Sequence, residues 1–197
     1  GHGAQKTPEA LQNSCNLAFA HIALKLGGER FYAYVQRFGV LEKTGIDLAG
    51  ESKGVFFSPE LVVDTEKWGT ASLTSASFGQ TFNITPIQMI TAVSAAINGG
   101  NLVTPHLVSK LVDEDGNTVK DLTPEVKRQV ISEEVSAQIC KMLLENGTNG
   151  NAQHSKVPGY RVGGKSGTSQ KLDTAMDDDY IASYVGVAPC DDPEIAI

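Results

Sequence analysis

No apolar run in this 197-residue sequence approaches the roughly 18–20 residues of a helical membrane span. Positive charge is also short: 16 Lys and Arg stand against 23 Asp and Glu, a net charge of −7. That balance argues against nucleic acid or an anionic membrane as the main partner. The cysteines, Cys15, Cys140 and Cys190, form an odd set without C-x-x-C spacing. The histidines His2, His21, His106 and His154 stand at no ligand spacing from them, so a zinc site is not expected, nor any other metal or cofactor. A signal peptide is missing too, and Gly1-His2-Gly3 reads as a tag remnant ahead of residues 4–197. What is present is ordinary: 41% hydrophobic and 20% charged residues, enough chain for one globular domain with a core.

The chemistry concentrates in residues 159–171, GYRVGGKSGTSQK. Lys165 stands among the hydroxyls of Ser166, Thr168 and Ser169 and beside Gly164 and Gly167. A fixed ammonium among hydroxyls and backbone N–H groups suits a carboxylate and an oxyanion. Two motifs compete for the stretch. Gly159, Gly164, Lys165 and Ser166 satisfy G-x-x-x-x-G-K-[ST], the phosphate loop. That motif needs a buried strand before it and a helix starting at the Lys-Ser pair. Here NAQHSKVP precedes it and the helix-poor Gly167-Thr168-Ser169 follows, so the phosphate reading fails on context. The other motif is K-[ST]-G, which belongs with S-x-x-K and S-x-N in serine acyl enzymes. Lys165-Ser166-Gly167 supplies K-[ST]-G, and Ser14-Cys15-Asn16 supplies S-x-N upstream, in the right order.

The text around both motifs resembles the transpeptidase domain of class B penicillin-binding proteins, with sporulation-type members closest. The resemblance runs from about residue 5 to the end. It rests on SCNLAFAHIALKLG, on FGQTFNITPIQMITAVSAAINGGNLVTPHLV with its Gly-Gln, Thr-Pro-x-Gln and Asn-Gly-Gly, and on VPGYRVGGKSGTSQK. One departure is serious: S-x-x-K occurs nowhere, and Thr168-Ser169-Gln170-Lys171 is only T-x-x-K inside the strand motif. The resemblance therefore implies a partial, incomplete domain of the β-lactamase/transpeptidase-like fold. It would lack its nucleophile and be inactive by itself.

The resemblance also implies roles. Ser14 relays a proton to the leaving amine, Asn16 donates its amide to the substrate's peptide carbonyl, and Lys165 is a permanent positive charge on the opposite wall. Ser166 and Thr168, two apart on a strand and so on one face, bind the terminal carboxylate of a D-Ala-D-Ala stem peptide or a β-lactam. Gly167 leaves the intervening position bare, and the Thr168 N–H forms half of an oxyanion hole. The parent enzyme would be a D,D-transpeptidase on the extracytoplasmic face of a bacterial membrane, anchored by a segment not in this sequence. It would work with cell-wall synthesis partners. Blander readings exist for three of these residues and for the whole: Ser14 or Asn16 caps a helix, Lys165 guards a strand edge, and the chain is a non-catalytic binding or assembly module.

Along the chain, residues Asn16–Leu26 are apolar nearly all round, which predicts a buried helix. A second helix is expected over 29–38, ended by Gly39, and an irregular excursion over 44–68. Thr85 at the N-cap and Pro86 at N1 start a helix with an apolar stripe of Met89, Val93, Ala96 and Ile97. Residues 107–112 and 119–122 flank a hairpin turn. Ser132 caps a long helix whose buried face is Val135, Ile139, Met142 and Leu143, with Cys140 a buried free thiol. Strands follow at 160–171, at Tyr180–Ala188 and at 194–197, while the aspartate-rich 172–179 is expected to be mobile. Short connections between successive strands favour antiparallel pairing. The fold class that results is α+β, with helices packed on an antiparallel sheet.

Overall fold

The computed structural model describes residues 2–123, 126–171 and 179–197; the expected mobility of 172–179 lies, but for Asp179, outside them. The chain opens with α1 (Thr7–Gln12), α2 (Asn16–Leu26) and α3 (Gly28–Arg37), then the short α4 (Pro59–Val63), α5 (Thr65–Trp68) and α6 (Ala71–Ser77). Helix α7 (Pro86–Ile97) leads to β1 (Asn101–Val103), β2 (Lys110–Val112), β3 (Thr118–Asp121) and β4 (Val126–Gln129). The long α8 (Glu133–Asn149) precedes β5 (Gly163–Gln170), β6 (Tyr180–Ala188) and β7 (Ile195–Ala196). All strand pairs are antiparallel: β1 with β4, β2 with β3, and the sheet β5-β6-β7. The α+β class with helices on an antiparallel sheet is what the chain adopts.

Three apolar clusters hold these parts. Ile97, Cys140, Val187 and Cys190 join α7, α8 and the sheet. Ala23, Val62 and Leu73, with Phe31, Tyr32 and Phe57, bind the short helices together. Ala95, Leu102 and Val130, with Phe38, seat β1 and β4 against α7. Helix α8 lies directly on β5, and glycines permit the approach. A Cβ on Gly147 would stand 2.5 Å from the Val162 carbonyl oxygen, and one on Gly163 would stand 2.7 Å from the Leu143 carbonyl carbon.

Helix α7 starts as its sequence requires. The Thr85 hydroxyl accepts from the Gln88 N–H at 3.3 Å, and the Gln88 side chain returns to the Thr85 N–H at 3.0 Å, a full capping box. Gln88 does more than cap. It is 1% exposed, its Oε1 also accepts from the Gly54 N–H, and its Nε2 donates to the Val40 and Glu42 carbonyls at 3.1 and 2.7 Å.

Several expectations need correction. Helix α2 keeps its predicted bounds but is not buried all round: Leu17 is 79% exposed, Ile22 and Leu24 are exposed, and only Ala23 is buried. The described neighbours α3 and α6 cover one side of it. Val135 and Met89 are likewise exposed, because α8 and α7 present narrower core stripes than their apolar patterns suggest. The segment 44–68 is not wholly irregular, since it contains α4 and α5. Strand β5 begins at Gly163, three residues after Tyr160, and runs straight through Lys165 and Ser166. With no helix starting there, a phosphate loop is excluded.

Candidate active site

Ser14 lies in the tight turn between α1 and α2. Its N–H donates to Leu11 and the Cys15 N–H to Ala10, at 3.1 and 3.0 Å. The turn puts Ser14 at φ +47, a left-handed conformation uncommon outside glycine and costly by about 1–3 kcal/mol. The N-cap of α2 is Cys15, without a side-chain cap bond, so neither Ser14 nor Asn16 serves as the cap. Asn16 is the first helical residue and is exposed.

Lys165 comes from the far end of the chain. Its ammonium donates to the Ser14 hydroxyl at 2.6 Å across 151 residues of sequence, and to the Ser166 carbonyl at 2.5 Å. Burial pulls its pKa below the ordinary lysine value, because the charged form loses hydration. The group therefore releases a proton more readily than a surface lysine does.

The backbone of β5 defines the other face of the site. Among the described residues strand β5 pairs with β6 on one side only, with Ser166 opposite Tyr184 and Thr168 opposite Ala182. The Gly167 carbonyl accepts from the Ser183 hydroxyl on β6 at 3.5 Å. The Thr168 carbonyl instead accepts from Gln80 Nε2 at 3.2 Å, so it points away from β6. In an antiparallel ladder a residue's N–H and C=O point to the same side and successive residues alternate. Thr168 and Ser166 therefore present both groups along the free edge, and Gly167 turns its own toward β6. Among the described residues, the side chains of Asn16, Ser166 and Thr168 hold no hydrogen-bond partner.

Two residues that bear on this site escape sequence reasoning. Asn146 on α8, fully buried, donates to the Gly164 carbonyl at 2.6 Å and so holds β5 one residue before Lys165. Its position near a helix C-terminus carries no functional signal. Gln80 meets the edge from a loop, and within the sequence only the Gly-Gln of the resemblance draws notice to it. Among the described residues no group of His, Cys, Asp and Glu is placed to hold a metal.

The site therefore joins a serine–lysine pair to a strand edge that offers paired N–H and C=O groups. The family model of the penicillin binding protein transpeptidase domain matches residues 1–197, and the chain belongs to that family, with its β-lactamase/transpeptidase-like fold. Stage V sporulation protein D of Bacillus subtilis is 44% identical over 200 residues, covering 100% of this chain and 30% of that protein. Peptidoglycan D,D-transpeptidase MrdA of Acinetobacter baumannii is 30% identical over 212 residues, covering 100% of this chain and 31% of MrdA. Among solved structures, penicillin-binding protein 3 of Mycobacterium tuberculosis complexed with ampicillin superposes with a TM-score of 0.85 at 25% identity. That match covers 97% of this chain and 43% of the other. The chain thus spans under a third of the length of these curated relatives.

Proposed function

We propose that this chain forms the S-x-N and K-S-G-T walls of a serine-type D,D-transpeptidase that cross-links peptidoglycan stem peptides and is acylated by β-lactams. The observation that carries the reading is the 2.6 Å contact between Lys165 and Ser14. Nothing local brings together residues 151 positions apart, whereas a proton relay requires hydrogen-bond reach.

In this reading a serine from an S-x-x-K segment, which this sequence does not contain, attacks the carbonyl of the penultimate D-Ala and gives its hydroxyl proton to the lysine of that segment. The Thr168 N–H on the free edge receives the oxyanion, together with the N–H of that serine. As the C–N bond breaks, Ser14 passes a proton to the departing D-Ala amine, and Lys165, with its lowered pKa, supplies the next proton in line. Asn16 meets the substrate's peptide carbonyl, and the hydroxyls of Ser166 and Thr168 bind the terminal carboxylate, with Gly167 leaving the edge bare between them. An amine from a second stem peptide then takes the acyl group. In this reading the site works outside the cytoplasm, in a membrane-anchored parent acting with cell-wall synthesis partners.

The test is acylation by a fluorescent penicillin in a protein that joins this chain to its S-x-x-K segment. Lys165→Ala is expected to slow acylation by about 100-fold or more, the lower range for a lost proton-transfer group. An unchanged rate would remove the relay. The chain alone is expected to form no adduct, and a stable adduct on Ser14 or Ser166 would show that the nucleophile has been misassigned.

A further inference from the structure

Gln80 sits where a substrate backbone would lie. The residue directly opposite another in an antiparallel ladder can exchange two bonds with it, giving its C=O to the partner's N–H and its N–H to the partner's C=O. A peptide laid along the free edge of β5 with a carbonyl on the Thr168 N–H would therefore bring the N–H of that same residue to the Thr168 carbonyl. That carbonyl is already taken, since Gln80 Nε2 donates to it at 3.2 Å.

The loop that presents Gln80 is fixed on both sides while its side chain is only half-buried. Gly79 and Thr81 are both left-handed, at φ +86 and +69, a strained conformation for β-branched threonine. The Gln80 N–H donates to the Ser75 carbonyl at 3.0 Å, and Asn83 exchanges two backbone bonds with Val55, at 2.7 and 2.9 Å. The loop is thus anchored through backbone, and the Gln80 amide can leave the strand edge by side-chain rotation alone.

We propose that Gln80 is a displaceable plug on the substrate edge: its side-chain amide stands in for the N–H of the penultimate D-Ala and gives way to it. This rests on the transpeptidase reading above. It makes Gln80 a specificity-determining residue. A ligand with an N–H at that position replaces the bond it breaks, and a ligand without one leaves the Thr168 carbonyl short of a donor. Selection then acts on the amide next to the attacked carbonyl, a part of the substrate that the Ser14–Lys165 pair does not read.

The experiment titrates the chain with diacetyl-L-Lys-D-Ala-D-Ala, and with the same peptide N-methylated at the penultimate D-Ala, following Thr168 and the Gln80 side-chain amide by nuclear magnetic resonance. With the first peptide the Gln80 amide signals are expected to move to their solvent-exposed positions as Thr168 shifts. Gln80→Met, which keeps the side-chain length and removes the donor, is expected to tighten binding of that peptide by about two- to tenfold, the worth of one net hydrogen bond. Gln80→Ala should do the same. The N-methyl peptide should bind the wild-type chain more weakly than its parent does. Thr168 responding while the Gln80 amide stays in place, or variants that bind no tighter, would overturn the plug alone. A Thr168 signal indifferent to both peptides would overturn the transpeptidase reading of the edge together with it.

Discussion

Replacing Gln88 by alanine removes a side chain that holds three separate segments at once. The amide is 1% exposed, and besides the Thr85 hydroxyl its partners are backbone: the N–H of Gly54 and of Thr85, and the carbonyls of Val40 and Glu42. An amide oxygen and an NH2 group can serve four such groups, and here they do. A buried polar group left without a partner costs about 1–3 kcal/mol. Four groups at the low end of that range give about 4 kcal/mol; cavity formation adds to this and water entry offsets it. For a domain of this size each kcal/mol lowers Tm by about 2–4 °C, so the expected loss is about 8–16 °C. Thermal and urea unfolding, followed by circular dichroism, would measure it. Gln88→Glu sharpens the test, because it keeps the volume but turns an oxygen toward the two carbonyls. Its carboxyl pKa should rise in the folded state, since only the protonated form can donate to a carbonyl. A raised folded-state pKa means that this variant is closest to wild type below the ordinary glutamate value of about 4.3 and falls behind as pH rises. A loss under about 1 kcal/mol for Gln88→Ala, or a Gln88→Glu penalty that ignores pH, would refute the picture of a saturated buried amide.

Other outcomes follow from the packing and the thiols. Gly163→Ala would set a Cβ against Cys190 Sγ and 2.7 Å from the Leu143 carbonyl carbon; the thiol can swing but the helix backbone cannot. Urea unfolding should show about 1–3 kcal/mol lost, with Gly167→Ala, which meets only the Ser183 hydroxyl, losing less. Iodoacetamide at pH 7.5 should label Cys15 before the other two. Hydrogen bonds from His2 and Gln5 lower the Cys15 pKa to about 7, whereas burial pushes Cys140 up and Cys190 to about 11. The reactive thiolate of Cys15 thus forms above about pH 7, and His2→Ala should move the labelling inflection upward, as mass spectrometry would read.

Sequence reasoning reached the parts whose signals are local or carried by motif. Helices α2, α7 and α8 declare themselves through apolar runs, Thr85-Pro86 and Ser132. The meeting of Ser14 with Lys165 was legible only through motif order, since their separation carries no physical signal. Strands β1 and β4 were missed because three or four residues cannot establish a period. Helix α6 was missed for a chemical reason. Its sequence ASLTSAS is poor in helix formers, and the folded chain accommodates it by turning hydroxyls back on carbonyls: Thr74 to Thr70, Ser75 to Ala71 and Ser77 to Thr74. Helix α1 did leave a trace, with Pro8 at its start and Glu9 reaching back to the Lys6 N–H at 2.8 Å.

Helix α8 touches both walls of the site: α1, which ends at the Ser14 turn, rests on it, and β5, which carries Lys165, lies along it. The two functional groups therefore share one mechanical reference, although they come from opposite ends of the chain. A rigid displacement of α8 carries serine and lysine together and leaves their spacing nearly unchanged, much as two instruments bolted to one beam keep their alignment when the beam moves. Drift in α6 has a second route to the pair, since α6 packs on α2, which follows the Ser14 turn, whereas α4 and α5 lie a step further out. Tolerance to substitution should therefore be uneven: generous on the outlying helices, and narrow along the α8 face that meets α1 and β5.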